Sequence, residues 1–468
     1  MSISVTFLGA AQNVTGSSYA IEVEDTWVLV DCGLYQEREL RPRNWKAFPI
    51  PPARLKAVLL THAHLDHCGL LPKLVREGFR GPVFCTPATS DIARIVLLDS
   101  AKIQEEDAHA KADRHAREGR QGPYPETPLY TIHDAEAVLP LLTPVSYGDF
   151  VSVAPGINAV FNEAGHILGS ALIKLDLRAT NLERTILFTG DLGRHHLPIL
   201  RDPEVCRSAD YVVIESTYGD RIHESIKDIP DMLARILNET RQAGGKTVIP
   251  AFAIERTQEL IYYLGALLNA GKISRLPVFI DSPMAIKITE IFNHHAELFD
   301  EETMALIRHK NQPFELPGMK LTASVAESKA INKVQGPAVI IAGAGMCNAG
   351  RIKYHLVNTI SSPENTILFV GYQAEGTLGR EILDGAKQVR ILGRWYPVKA
   401  RVEQIHGLSA HADRDELLAW LMEFTQPPRH IFVTHGEAKA AVAFAEFVRE
   451  KTGWTASAPV YNHREELE

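Results

Sequence analysis

Between positions 61 and 69 the chain reads THAHLDHCG, which places three imidazoles and a carboxylate at His62, His64, Asp66 and His67. Such groups are costly to bury without a partner, and four of them within six positions are hard to explain as a solvated loop. Imidazole and carboxylate ligands suit zinc, and the tight spacing points to two ions rather than one. Two ions need further ligands, and an aspartate can bridge them. Candidates occur in similar contexts: His166 in EAGHILGS, Asp191 in FTGDLG and His435 in FVTHGE. Each lies just past an apolar stretch and beside glycine, which is how a sheet delivers ligands from several strand ends to one edge. Asp31, in LVDCG, has the same placement and can orient a ligand from behind. A lone histidine at a strand end is more often structural, so it is the conjunction that points to metal. The other histidines, among them His109, His115, His133, His195, His196, His223, His294 and His295, lack this context and are assigned to surface or packing. Cys68 is read as a small packing residue.

The elements that must position these groups follow from the pattern. ISVTFLG, SYAIEV and WVLVDCG are short β-branched stretches separated by turn residues, and LKAVLLTH is a buried strand whose end runs into the cluster. LLPKLVREG reads as a helix. SDIARIVLLDSAKIQEEDAHAKADRHAREG reads as a long helix that becomes increasingly charged and extends into solvent. GRQGPYPETP is a turn-rich loop. Strands follow around INAVFNEAG, ALIKLDL, RTILFTGD and YVVIEST. From about residue 240 strand and helix alternate, through KTVIPAFA, RTQELIYYLGALLNAG, LPVFIDSP, AIKITEIFNHHAELF, AVIIAGAG, RIKYHLVNTI and NTILFVGYQ. That rhythm predicts a parallel sheet covered by helices. The stretch GRWYPVKARVEQIHGLSAHAD follows without an assigned element, then DELLAWLMEF, HIFVTHGE and AKAAVAFAEFVREKTG.

With 468 residues, two domains or one split by another is the natural expectation. A hydrophobic share of 45% and a charged share of 23% describe an ordinary globular composition. No apolar run is long enough for a bilayer span, and no signal peptide is expected. Five scattered cysteines argue against a disulfide framework and for a reducing compartment, hence a cytoplasmic location. The net charge of −8 weighs against a surface coated in basic residues but does not exclude a local basic groove.

Taken together, these residues resemble the metallo-β-lactamase superfamily. THAHLDH matches its HxHxDH motif, and Asp31, His166, Asp191 and His435 match its other metal-site motifs. IESTYGD, AFAIERTQEL, DSPMA, GYQAEGTLGR and HGLSAHAD are similar to motifs of the β-CASP branch, whose members process nucleic acids. The closest likeness is to prokaryotic relatives of the endonuclease of pre-mRNA 3′-end processing, and no KH-type extension like that of many archaeal relatives is expected.

The resemblance implies an α/β fold: a metallo-β-lactamase αββα sandwich with an inserted α/β β-CASP domain. Its parts are expected at residues 1–218, 219–395 and 396–468, with the active site in a cleft between sandwich and insert. It implies two Zn2+ per chain, one held by His62, His64 and His166, the other by Asp66, His67 and His435, with Asp191 bridging. The catalytic set is Asp66, Glu215 and His411. Glu215 raises the pKa of His411, which then acts as general acid. Asp31 stands behind the ligands, and Arg256, Ser282 and Arg380 are weaker candidates for backbone phosphates. The expected activity is hydrolysis of single-stranded RNA to 5′-phosphate and 3′-hydroxyl ends, by endonuclease or 5′-exonuclease action. Histidine at position 435 goes with RNA-processing members, and a homodimer is the expected assembly. The alternatives are a small-molecule metallohydrolase of the glyoxalase or lactamase type, against which the long insertion argues, and an RNA-binding scaffold subunit. The chain departs from the family at Ile254-Glu255, where a small residue and glycine are usual, and in GAGMCNAGR (343–351), a looser version of a Ser/Gly-rich stretch.

Overall fold

The computed structural model describes residues 2–119, 126–310 and 312–468. Most of the loop GRQGPYPETP, residues 120–125, lies outside them. In chain order the strands are β1 (Ile3–Gly9), β2 (Ser18–Val23), β3 (Thr26–Val30), β4 (Leu55–Leu59), β5 (Val83–Cys85), β6 (Leu142–Pro144), β7 (Phe150–Ala154), β8 (Ile157–Glu163), β9 (Ala171–Ala179), β10 (Leu182–Phe188) and β11 (Tyr211–Ile214). There follow β12 (Lys246–Pro250), β13 (Val278–Asp281), β14 (Met319–Leu321), β15 (Ala338–Ala342), β16 (Thr366–Phe369), β17 (Gln388–Ile391), β18 (Arg394–Pro397) and β19 (Arg401–Gln404). The last are β20 (His430–Val433), β21 (Ala456–Ser457) and β22 (Arg464–Glu466).

The chain divides into two compact units, one of residues 1–195, 202–222 and 411–468, the other of 196–201 and 223–410. In the first, two seven-stranded sheets run β22-β1-β2-β3-β4-β5-β6 and β21-β20-β11-β10-β9-β8-β7. Alternation decides how they meet. Along β8 the inward residues Ile157, Ala159 and Phe161 are buried while their neighbours are half-exposed, the period-2 signature of a one-sided strand. These residues share one core with Phe7, Val28, Val30, Leu59, Ile173, Phe188, Val213 and Phe432, drawn from both sheets. Truncating one such phenylalanine to alanine costs about 3–5 kcal/mol. The outer face of the second sheet packs Val212, Ile214 and Val433 on Leu417, Trp420, Phe444 and Val448 of the helices Arg414–Leu421 and Ala438–Thr452. Leu71 and Leu74 of the helix Leu71–Arg76, and Ile92, Val96 and Leu97 of the helix Pro87–Glu118, are buried as well. The αββα sandwich expected from the sequence is this arrangement. The long helix carries its charge where expected, with many exposed residues from Lys102 onward.

Direction of travel matters more for the site than layer order. In the second sheet β10, β11 and β20 are mutually parallel, and β8 runs the same way because β9 is antiparallel to both β8 and β10. In the first sheet β3 and β4 are parallel. Each set of strands therefore brings its C-terminal ends to one edge.

The second unit holds one parallel sheet, ordered β14-β13-β15-β12-β16-β19. β13, β15 and β16 are buried at every position, as strands covered on both faces must be. The sheet gains β19 beside β16, so residues 401–404 pair with the insert although the chain was expected to leave it near 396. β17 and β18 form a separate two-stranded hairpin. At Glu255 the backbone takes φ +63 and ψ −58, and the Arg256 N–H donates to the Ile254 carbonyl at 2.7 Å. This is a γ-turn of the rare, strained kind, which a glycine would enter without a Cβ penalty.

Candidate metal centre

Six chain segments end at one edge of the sandwich. Asp31 follows β3, the His62–His67 run follows β4, His166 follows β8, Asp191 follows β10, Glu215 follows β11 and His435 follows β20. The glycines beside them have a packing reason. A Cβ on Gly193 would lie 1.9 Å from the Gly165 carbonyl oxygen, so the loops carrying Asp191 and His166 could not close on each other. A Cβ on Gly33 would lie 1.7 Å from the Asp66 carbonyl oxygen, which would push the loop after β3 away from the His cluster. Asp31 and His435 themselves sit at φ +59 and +47, a region that Asp and His tolerate better than most residues.

Seven side chains converge in two sets. His62 Nε2 and His64 Nδ1 are 3.0 Å apart, His166 Nε2 and His64 Nδ1 are 3.4 Å apart, and Asp191 Oδ2 is 3.4 Å from both His62 Nε2 and His166 Nε2. The other set is closed by Asp191 Oδ1, 3.3 Å from His67 Nε2 and 3.4 Å from His435 Nε2. Those two Nε2 atoms are 3.1 Å apart, and Asp66 Oδ2 is 3.6 Å from His435 Nε2. A zinc ion with ligands at about 2.0–2.1 Å has tetrahedral edges of about 3.3–3.4 Å, so both sets fit one. Asp191 Oδ1 is buried with no hydrogen-bond donor, which a native interior rarely tolerates and a cation resolves.

The surroundings fix the ligand form of the His67 and His435 rings. Asp31 Oδ2 accepts from His67 Nδ1 at 2.7 Å, while Thr61 holds Asp31 through its N–H and hydroxyl, each at 2.8 Å. Protonating Nδ1 leaves the Nε2 lone pair for the metal. Thr217 does the same for His435: its hydroxyl accepts from Nδ1 at 3.1 Å and donates to the His435 carbonyl at 3.2 Å. At His166 it is the loop that is held, since the Ser170 hydroxyl accepts the backbone N–H of His166 at 3.0 Å. Burial pushes His62 down to about 3 and His64 to about 4, keeping both neutral, and it lowers His166 as well. Burial acts the same way on His67 and His435, but the Asp191 charge outweighs it and raises both, with Asp31 adding to the effect at His67. A metal cation replaces that extra proton.

Beside the two sets lies a dyad. Glu215 Oε1 is 2.9 Å from His411 Nδ1, and Asp191 Oδ2 is 3.9 Å from the same atom. Glu215 is held by the Leu192 N–H at 2.8 Å and by the Thr217 N–H at 3.1 Å. Burial works against charge on His411, yet Glu215 and Asp191 overcome it and lift the imidazolium to about 9.

The structure thus brings together His62, His64, Asp66, His67, His166, Asp191 and His435, with Asp31 behind them and Glu215 and His411 beside them. Arg256, Ser282 and Arg380 lie in the other unit, each tied to its own helix. Arg256 pairs with Glu259, the Ser282 hydroxyl caps its helix by accepting the Ala285 N–H at 3.2 Å, and Arg380 Nε reaches Asp384 at 2.8 Å. Sequence reasoning missed Thr61, Thr217 and Ser170. The first two had a signal, since each stands within two residues of a singled-out side chain in THAHLDH and IESTYGD.

The metallo-β-lactamase superfamily model matches residues 12–81, the Beta-Casp domain residues 257–382, and the Zn-dependent metallo-hydrolase RNA specificity domain residues 395–459. The chain is 38% identical over 440 residues to Ribonuclease TTHA0252 of Thermus thermophilus, covering 94% of each protein. The chain belongs to the β-CASP branch of the metallo-β-lactamase superfamily. This β-CASP protein is also 34% identical over 463 residues to Transcription termination factor FttA of Methanocaldococcus jannaschii, covering 96% of this chain and 69% of that one. A crystal structure of a protein of unknown function from Enterococcus faecalis V583 shares its fold, with a TM-score of 0.54, 13% identity and full coverage of both chains. The branch is one of metal-dependent hydrolases with a zinc-dependent fold, and the His/Asp cluster is where this member can hold metal.

Proposed function

We propose that this protein is a ribonuclease that uses two Zn2+ ions per chain to hydrolyse single-stranded RNA, leaving 5′-phosphate and 3′-hydroxyl ends. The observation that carries the reading is the division of one carboxylate: Asp191 Oδ2 faces His62 and His166, and Asp191 Oδ1 faces His67 and His435. His62, His64 and His166 would hold one ion, Asp66, His67 and His435 the other. When bound, the pair supplies Lewis-acid polarisation of the phosphate and lowers the pKa of the attacking water. His411 does the chain's own proton work. Its Nδ1 is engaged by Glu215, so Nε2 is the atom that donates to the leaving 3′-oxygen. Glu215 keeps the proton there, and the Leu192 and Thr217 N–H groups keep Glu215 in place.

RNA as substrate is supported by the relative named a ribonuclease and by the RNA specificity domain match. Five free thiols support a reducing, cytoplasmic setting. The deciding experiment is cleavage of an internally labelled single-stranded RNA and a matched DNA, with and without chelator, with zinc counted in the same sample. Chelator-sensitive RNA cutting with about two zinc ions per chain is the expected result, and fragment sizes separate endonuclease from 5′-exonuclease action. Intact RNA beside rapid thioester or β-lactam hydrolysis would replace the proposal with the small-molecule reading. Sedimentation of the same sample tests the homodimer.

A further inference from the structure

The β17–β18 hairpin has a surface that neither the core nor the metal centre explains. Val389 and Ile391 turn inward and are buried in the core of the second unit. The opposite face pairs Arg390 with Trp395 directly across the ladder, and Trp395 is 61% exposed. The hairpin closes on Leu392-Gly393, both at positive φ (+49 and +85), which is the two-residue turn that favours Asn-Gly. Here a leucine occupies the strained first position and is 52% exposed. From residue 386 to 402 the chain carries Lys387, Arg390, Arg394, Lys399 and Arg401 and no acidic residue, within a protein of net charge −8. Arg401 pairs with Glu239 and Glu403. Lys387, Arg390, Arg394 and Lys399 are exposed, and among the described residues none has a carboxylate within ion-pair distance. Arg390 Nε donates to the Gly393 carbonyl at 3.3 Å and braces the turn, but burial of the core does not call for an exposed tryptophan on the strand that follows.

We propose that this hairpin is an exosite for single-stranded RNA, with Trp395 as a stacking platform for a base and Arg390, Arg394 and Lys387 as partners for the flanking phosphates. The proposal rests on RNA being the substrate. Charge selects this occupant: a strand with one phosphate per nucleotide matches a patch of unpaired cations, and an aromatic face serves any base. A second copy of this chain also offers apolar surface and exposed carboxylates such as Glu106 and Asp107, so the test reads the oligomeric state beside RNA binding.

The test uses the zinc-loaded full chain carrying His411→Ala to stop turnover, and the anisotropy of an end-labelled oligouridylate of about 20 nucleotides, long enough to span a typical single-strand site. Trp395→Ala is expected to weaken binding about tenfold, the loss of one stacked base, and Trp395→Tyr to restore most of it. Arg390→Glu with Arg394→Glu should flatten the dependence of log Kd on log salt by about 0.7 for each phosphate no longer neutralised. An unchanged melting temperature shows that these exposed substitutions leave the fold intact. Equal affinity in all variants overturns the exosite, and if the protein with His411 restored still cuts RNA, the nuclease reading stands without it. Hairpin-dependent binding by a protein that cuts no RNA supports the exosite and sinks the nuclease. Unaltered RNA binding with a shift from dimer to monomer makes the hairpin a self-association surface, and the proposal fails.

Discussion

His411 Nδ1 lies 2.9 Å from Glu215 Oε1, and the carboxylate is buried and anchored by two backbone N–H groups. The pairing keeps a proton on an imidazole that burial alone would strip. An acid with a raised pKa works below that pKa and fails as pH rises through it. Turnover of RNA should therefore hold through neutrality and fall on an alkaline limb at or below about 9, lower by as much as bound cations offset the charge of Asp191. Glu215→Gln should move that limb toward the ordinary histidine range of about 6.5 and lower kcat near pH 8 by about 30-fold through the lost protonated fraction. A kcat–pH profile of the variant superposing on the wild type would end the general-acid assignment.

Asp31 touches His67 and no other candidate ligand. An Asn at this position keeps the shape, but its NH2 must face either the Thr61 N–H, which Oδ1 accepts, or the Thr61 hydroxyl and His67 Nδ1–H, which Oδ2 accepts, so at least one buried donor loses its acceptor. Asp31→Asn should weaken zinc binding about 10–100-fold, with the folded spectrum retained. Competition against a chromophoric chelator reads this directly. Undiminished affinity would mean that Asp31 does no more than brace the loop after β3.

Thr217 joins the metal set to the dyad, since its hydroxyl orients His435 and its N–H holds Glu215. Only the hydroxyl is lost in Thr217→Val. The expected result is about tenfold weaker zinc binding at the set containing His435, with the alkaline limb of turnover unmoved because the N–H remains. Thr217→Ser should restore zinc affinity. If Val shifts the limb and spares the metal, the hydroxyl serves the dyad instead.

Much of this site was legible because metal ligation leaves a pattern in types and spacing. His62, His64, Asp66 and His67 announce themselves within six residues, and the glycines beside His166, Asp191 and His435 mark close backbone approach. β1 and β2 coincide with the stretches ISVTFLG and SYAIEV, since one-sided strands alternate visibly. Short strands did not show. β5, β6 and β14 have three residues each, too few for a period to emerge. β17 and β18 were hidden because their turn is Leu-Gly and charged residues interrupt the apolar run. The orienting hydroxyls of Thr61, Thr217 and Ser170 could not be singled out, because threonine and serine are common and only proximity reveals their partners. Arg256, Ser282 and Arg380 stood out by motif, yet each spends polar capacity on its own helix.

Asp281 makes the most demanding test of the inserted unit. Its fully buried carboxylate accepts from Thr322 Oγ1 at 2.9 Å, Ser328 Oγ at 2.5 Å, Arg351 Nη1 at 2.7 Å and His355 Nε2 at 2.7 Å. Burial alone would raise its pKa, but these four donors outweigh it and hold the group near about 2. A carboxylate depressed on folding adds stability above its unfolded pKa, and that stability fades as pH falls toward the folded value. The difference amounts to about 2 kcal/mol. Asp281→Asn, unable to accept from all four, should lower the urea midpoint at pH 6 and leave Arg351 short of a buried counter-charge, at a cost of about 3–5 kcal/mol. Between pH 4 and pH 2 the gap between wild type and variant should narrow, because the wild-type carboxyl takes up the proton that makes it resemble the amide. A gap that stays constant across that range would place the loss in packing rather than in charge.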